Sequence, residues 1–491
     1  MSAVLFLITL AVSGLLVLLL PAVLIAFAHS EIELATNMLL LFAVGSFVAV
    51  SATTALSGRI KETERAFTYL ALVGVWVITP FIAGTFYTVL SDLSLMQGWF
   101  EAVGALTTSG ASVLQRSETP VGLLFWRSAT EWYGGFLALA SIVHVLAPAG
   151  FGGLQGAGSR LLSGGSENSL FKVQTYRTLA LQYTLITGLI YLGLMLFGVA
   201  PLNAMMLGMI SAATGGFVPF SGPLEETIGQ GATTVMALGL CLGTLSVFWR
   251  RQILRRPKHV FQNNLEVKIV VAVIAALTIA YAVRIADVSG SAAGNKLLSA
   301  LQEGFFTASS LVATSGIETR PGVIALLPNI VVLAVIFVGA GVYSTSGGVK
   351  VFRIGAMWVY TVAELNRLIF PNSVDRHKFG DLVIGRGSIQ AIWTYFIIAI
   401  LVIGLGASLL ALSGTGFEAA IVMSVSFFSN ASPVYDALRP LGDESVTASW
   451  PGFRALPHQA TYLLSIIIMT IGRLEVLVIF AVLNIRYWYN R

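Results

Sequence analysis

Apolar runs of two lengths alternate along this chain in a fixed order. The first two long runs, Ala3 to Ala28 and Met38 to Ala55, flank a short acidic turn holding Glu31 and Glu33 and predict an N-terminal two-helix hairpin. Ala26-Phe27-Ala28 mimics a small-residue cleavage site, but the run lacks a basic leading region and exceeds the roughly 7 to 15 residues of a signal core. It is therefore expected to span a membrane.

Beyond the hairpin, one unit recurs four times: a spanning run, a short apolar stretch ending in small polar residues, and a second spanning run. The first unit uses Phe67 to Leu90, then Gly98 to Ser112, then Val121 to Leu146. The second uses Thr178 to Val199, Asn203 to Phe217 and Ala232 to Phe248. The third uses Val267 to Ala286, Leu301 to Ile317 and Val323 to about Tyr360; the fourth uses Ile389 to Leu412, Phe417 to Pro433 and Ala460 to Ile485. Each middle stretch has only about 10 to 14 mostly apolar residues where a spanning helix needs about 20, so it is expected to re-enter rather than cross. Each ends in a turn: Thr108-Ser109-Gly110, Thr214-Gly215-Gly216, Thr314-Ser315-Gly316 and the variant Asn430-Ala431-Ser432. Spacings of 106, 100 and 116 residues between Gly110, Gly216, Gly316 and Ser432 mark a long internal repeat. The expected fold is an all-α integral membrane protein of four covalently linked helix/pore-loop/helix units with pseudo-fourfold symmetry, plus the hairpin. The units are placed at 1–58 (hairpin), 59–160, 161–258, 259–370 and 371–491.

Composition agrees with a polytopic membrane protein: 56% hydrophobic, 10% charged, mean hydropathy +0.85, against roughly 25% charge in soluble domains. If the re-entrant stretches open outward, the inner segments are 58–66, 148–178, 249–268, 349–388 and the tail. They hold 20 of the 28 Lys and Arg but 7 of the 23 acids, with Arg250, Arg251, Arg255, Arg256 and Lys258 the densest cluster. This positive-inside bias puts both termini in the cytoplasm and makes the basic pI a report on orientation rather than on nucleic-acid binding. The basic loops either offer a docking face for a partner or bind only anionic lipid headgroups. Outer carboxylates, among them Glu118, Glu225, Glu226, Asp443 and Glu444, either form solvated loops or concentrate cations. The single cysteine, Cys241, excludes an intrachain disulfide.

The turns suit a dehydrated monovalent cation, whose hydration shell four loops of backbone carbonyls can replace. Glycine permits positive φ so that carbonyls aim at the axis, and the adjacent Thr or Ser can brace the loop. One such turn alone is an ordinary helix terminus; four in the same context point to a filter. A second candidate is Gly339 to Gly348, GAGVYSTSGG, where glycines and hydroxyls break a helix at membrane depth. Such a break is tolerated only inside protein or against water. Lys350 sits between Val349 and Val351 rather than between Gly and Ser or Thr, which excludes a phosphate-binding loop. Arg127 and Glu131, at i and i+4, read as a local structural ion pair. Arg473 lies inside the last apolar run, where an unpaired Arg costs at least roughly 2.5 to 3.5 kcal/mol and must face protein or water. Glu475, two positions on, is a poor partner for it, and a buried pair with an acid on another helix is the alternative. His144, the one clearly intramembrane histidine, has no metal-binding neighbour, so an intramembrane enzyme has no constellation to work with.

At these residues the chain resembles the Trk/Ktr/HKT superfamily of K+ and Na+ transport proteins, and its TrkH branch through the extra hairpin. The resemblance implies filter positions at Thr108, Ser109, Gly110, Thr214, Gly215, Gly216, Thr314, Ser315, Gly316, Asn430, Ala431 and Ser432. It implies a gate formed by Gly339, Gly341, Ser344, Thr345, Ser346, Gly347 and Gly348, with Arg473 lining the cavity below. It further implies K+ uptake across a bacterial inner membrane without an organic cofactor, a homodimer, and a cytosolic RCK-type, TrkA-like nucleotide-binding regulator. The alternative is a Na+-permeable or Na+/H+-coupled cation transporter. Ser432 departs from the family's fourth filter glycine, and serine in the plant branch accompanies Na+ permeation. A left-handed backbone there is expected to cost serine about 1 to 2 kcal/mol.

Overall fold

The computed structural model describes residues 1–58, 65–146, 173–246, 264–289, 294–371, 378–380, 382–440 and 449–483. The cluster from Arg250 to Lys258, and Asp443 and Glu444, lie outside the described residues. Helices α1 (Ser2–Val17) and α2 (Leu19–Ala28) make one bent span and α3 (Ile32–Ser57) returns beside them. The interruption at Leu18 follows from Pro21, which has no N–H for the Val17 carbonyl. The first unit is α4 (Arg65–Leu90), α5 (Leu95–Leu106) and α6 (Val121–Ser141); the second is α7 (Val173–Leu196), α8 (Pro201–Ala213) and α9 (Leu224–Thr244). The third is α10 (Leu265–Ser289), α11 (Gly294–Val312), then α12 (Asn329–Val338) and α13 (Val351–Ile369) around the glycine-rich break. The fourth is α14 (Arg386–Leu412), α15 (Phe417–Phe428), α16 (Pro433–Ala437), α17 (Gln459–Leu474) and α18 (Val476–Val482). One two-residue hairpin pairs β1 (Lys378–Phe379) with β2 (Leu382–Val383).

The chain is thus an all-α membrane protein, with six described spans long and apolar enough to cross a bilayer. Sequence alone also places crossings at α6 and α9. Both are 21 residues long but richer in polar and small residues, as inner helices enclosed by others can be. The short helices α5, α8 and α15 have 12, 13 and 12 residues, matching the short runs in the sequence. The third, α11, runs to 19 residues because helix-forming residues from Asn295 to Ala300 extend it before the apolar stretch begins.

Short-helix starts are set locally. Ser94 and Gln97 close a capping box on α5, and Pro201 opens α8 where its missing N–H costs nothing. Apolar burial divides into two large bodies. One joins the hairpin with most of units one and two, and the other centres on units three and four. The Thr, Ser and Asn residues of the four turns are buried as well, among them Thr108, Ser109, Thr214, Thr314, Ser315, Asn430 and Ser432.

Candidate ion-conduction site

Three of the short helices end in the same hydrogen-bonded cap and the first in a close variant of it. In unit two the N–H of Thr214 donates to Ser211 and that of Gly215 to Ile210; in unit three Thr314 donates to Leu311 and Ser315 to Ser310. In unit four Asn430 donates to Phe427 and Ala431 to Ser426, while in unit one Thr108 donates to Ala105 and Gly110 reaches Gly104. This is the Schellman arrangement, in which the first residue past the helix is left-handed. Those residues are Thr108, Thr214, Thr314 and Asn430, with φ of 56°, 54°, 57° and 53°. Of the glycines two positions later, where positive φ is expected from sequence, only Gly110 and Gly316 have it, at 79° and 72°. Gly216 lies outside that region and Ser432 is right-handed, with φ −58° and ψ −32°. The backbone penalty expected at Ser432 therefore does not arise.

The four turns touch in cyclic order. A Cβ on Gly110 would collide with the Gly216 backbone, and one on Gly216 with the Ser315 carbonyl and the Pro433 ring. The Ser315 hydroxyl donates to the Gly215 carbonyl. A Cβ on Gly316 would sit 3.0 Å from the Val434 nitrogen. The circle closes where Ser432 N–H donates to the Ser109 carbonyl at 2.9 Å and the two serine hydroxyls pair. Ala431 is buried beside them. Each of the four turns directly follows the C-terminus of a short helix, where carbonyl partial charges are negative.

Buried charge braces the rear of the circle. Arg127 bonds Glu101 Oε1 at 2.5 Å, Glu131 Oε2 at 2.8 Å and the Ala111 carbonyl at 3.1 Å. Glu131 Oε1 accepts the Gly216 N–H at 2.8 Å, and Glu101 Oε2 accepts the Val113 N–H at 2.7 Å. The i, i+4 pair read from the sequence is present, but it is one edge of a larger network, and Glu101 was missed. A carboxylate inside an apolar re-entrant helix was the available signal, since such a group demands a partner. Unit three is braced differently: Glu303 accepts Thr319 Oγ1 and a half-exposed Arg320.

Beneath the circle lies the glycine-rich loop. The carbonyls freed by the break at Phe337, Val338 and Ala340 receive the N–H groups of Val349, Lys350 and Val351, so the loop closes on itself as buried backbone must. Gly339 and Gly348 are left-handed, at 66° and 75°. The Gly341 N–H bonds the Thr244 carbonyl, Thr345 Oγ1 bonds the Gly243 carbonyl, and Ser344 and Ser346 share a hydroxyl bond of 2.7 Å. Lys350 Nζ reaches the Ser346 carbonyl and hydroxyl. Gly347 N–H donates to Thr314 Oγ1 at 2.7 Å, joining loop to circle.

The final helix does not run through. It bends by 100° at Glu475, which is left-handed at φ 62°. The sequence reads as one continuous span there because GRLEVLVIF contains no proline and only one glycine, Gly472; a distant partner takes part instead. Arg353 donates to Glu475 at 2.6 Å while lying 3.9 Å over the Tyr395 ring. Arg473 forms no ion pair among the described residues. It donates to the Thr345 carbonyl at 2.7 Å, and its Nε and second terminal nitrogen are buried without a protein partner.

A polytopic α-helical protein with four re-entrant turns meeting above a buried loop defines the class. No family profile matches the chain. The Trk system potassium uptake protein TrkH of Salmonella typhimurium is 27% identical over 458 residues, 88% of this chain and 87% of that protein. An uncharacterized cation transporter of Methanocaldococcus jannaschii is 26% identical over 455 residues, 90% and 87% of the two chains. The fold matches the crystal structure of the potassium transporter TrkH from Vibrio parahaemolyticus with a TM-score of 0.82, covering 99% of each chain at 19% identity. In sequence and in fold the chain is thus similar to TrkH-type proteins of the Trk/Ktr/HKT superfamily.

Proposed function

We propose that the chain carries K+ into the cell through the circle of four turns and that the loop from Gly339 to Gly348 is its gate. The observation that carries this reading is the closed contact among the four turns, with Gly347 bonded to Thr314 directly beneath. Carbonyls and helix C-termini converging from four sides replace a monovalent cation's hydration shell. Arg473, held against Thr345 with spare donors, places positive charge on the inner side and raises the barrier while the loop is seated. Movement of α13 would draw the loop away. By resemblance, the protein works as a homodimer in the inner membrane and docks a TrkA-like regulator on its basic loops.

The test is K+ and Na+ uptake in a K+-uptake-deficient bacterium. Wild type is expected to restore growth at low K+, and removing several residues between 339 and 348 to raise flux. A deletion that folds normally but conducts no faster counts against the gate. Na+ permeation is the second reading, favoured by the paired hydroxyls of Ser109 and Ser432 at the circle.

A further inference from the structure

We infer that Arg127, with Glu101 and Glu131, is a positioning unit that sets which monovalent cation the circle accepts. The inference rests on the reading of the circle as a filter and adds the group that fixes its geometry from behind. A trans peptide points its N–H and C=O in opposite directions. With the Gly216 N–H held outward by Glu131 at 2.8 Å, the Gly215 carbonyl must face the circle, where it meets the Ser315 hydroxyl.

Glu131 also fills the space a side chain at Gly215 would occupy. On the adjacent turn, Glu101 holds the Val113 N–H and the Ser112 hydroxyl, and Arg127 holds the Ala111 carbonyl next to Gly110. One guanidinium, fully buried with both carboxylates and 4.6 Å over the Phe217 ring, thus joins the backs of turns one and two. A filter discriminates between K+ and Na+ when its oxygens cannot rearrange freely around the smaller ion. The three-way brace opposes that rearrangement on one side of the circle. On the far side, Glu303 pairs with a half-exposed arginine and the Asn430 side-chain amide donates to the Met469 carbonyl.

Two charge-conserving variants test this in proteoliposomes. Arg127→Lys keeps the positive charge but loses the planar fork. Glu131→Asp keeps the negative charge but withdraws it from Gly216 by one methylene. Each is expected to lower the K+/Na+ permeability ratio, read from reversal potentials, by about fivefold while flux and monodispersity persist. If Arg127→Lys fails to assemble, Glu131→Asp carries the same readout, supplemented by the difference between K+ and Na+ in protecting the protein from thermal unfolding. A normal ratio with reduced flux or stability would mark a merely structural network and overturn the inference. Absence of cation flux in wild type would instead refute the filter reading beneath it.

Discussion

Turns one and three differ from turns two and four in what they ask of their last residue. Gly110 and Gly316 are left-handed; Gly216 and Ser432 are not. Within the second pair the demands diverge again. Gly216 is confined by the Pro433 ring and the Ser315 carbonyl, whereas Ser432 has room for a hydroxyl that pairs with Ser109. Glycine is therefore required for two reasons at Gly110, for space alone at Gly216, and for neither at position 432. A serine in the fourth turn is consistent with an intact circle.

The largest expected effect is at the position with both demands. Gly110→Ser adds a left-handed penalty of about 1 to 2 kcal/mol to a collision with the Gly216 backbone. K+ uptake should fall by at least about tenfold; near-normal uptake would break the comparison. Ser432→Gly should be milder, costing under about 1 kcal/mol in thermal stability through added backbone freedom. Its K+/Na+ permeability ratio should rise about twofold to fivefold as a hydroxyl leaves the circle. An unchanged ratio would remove serine from the account of selectivity.

The smallest effect concerns the residue two places beyond each turn's end, which is Ser112, Val218, Glu318 and Val434 in order. Only turn three carries an acid there. Burial pushes the Glu318 carboxyl up to about 7, against the N–H groups of Ile324 and Gly322 that lower it, with Asp436 adding a smaller upward push. It is ionised above that value and neutral below, so in the proposed orientation, with the turns opening outward, the mouth would lose negative charge as external pH falls from 8 to 6. K+ uptake at limiting K+ should drop within about twofold over that range, and Glu318→Gln should flatten the response.

The helical class, the hairpin and the short helices were legible because run length and turn chemistry are local properties. The positions of the turns were legible for the same reason. Their backbone geometry was not, because glycine is the usual left-handed residue and here threonine and asparagine take that place. Thr314 shows what the substitution supplies: a hydroxyl aimed at Gly347. The bend at Glu475 was illegible because it depends on Arg353, distant in sequence; Glu101, a carboxylate in an apolar stretch, signalled the need for a partner but not that Arg127 supplies it. The bend replaces an expected straight span.

That bend gives the end of the chain an elbow. The short arm beyond it, α18, rests on α4 of the first unit and α14 of the fourth, while Arg473 stands just before the corner, touching Thr345. Carried through that right angle, a roll of either helix would shift the guanidinium against Thr345, a residue of the loop proposed as the gate.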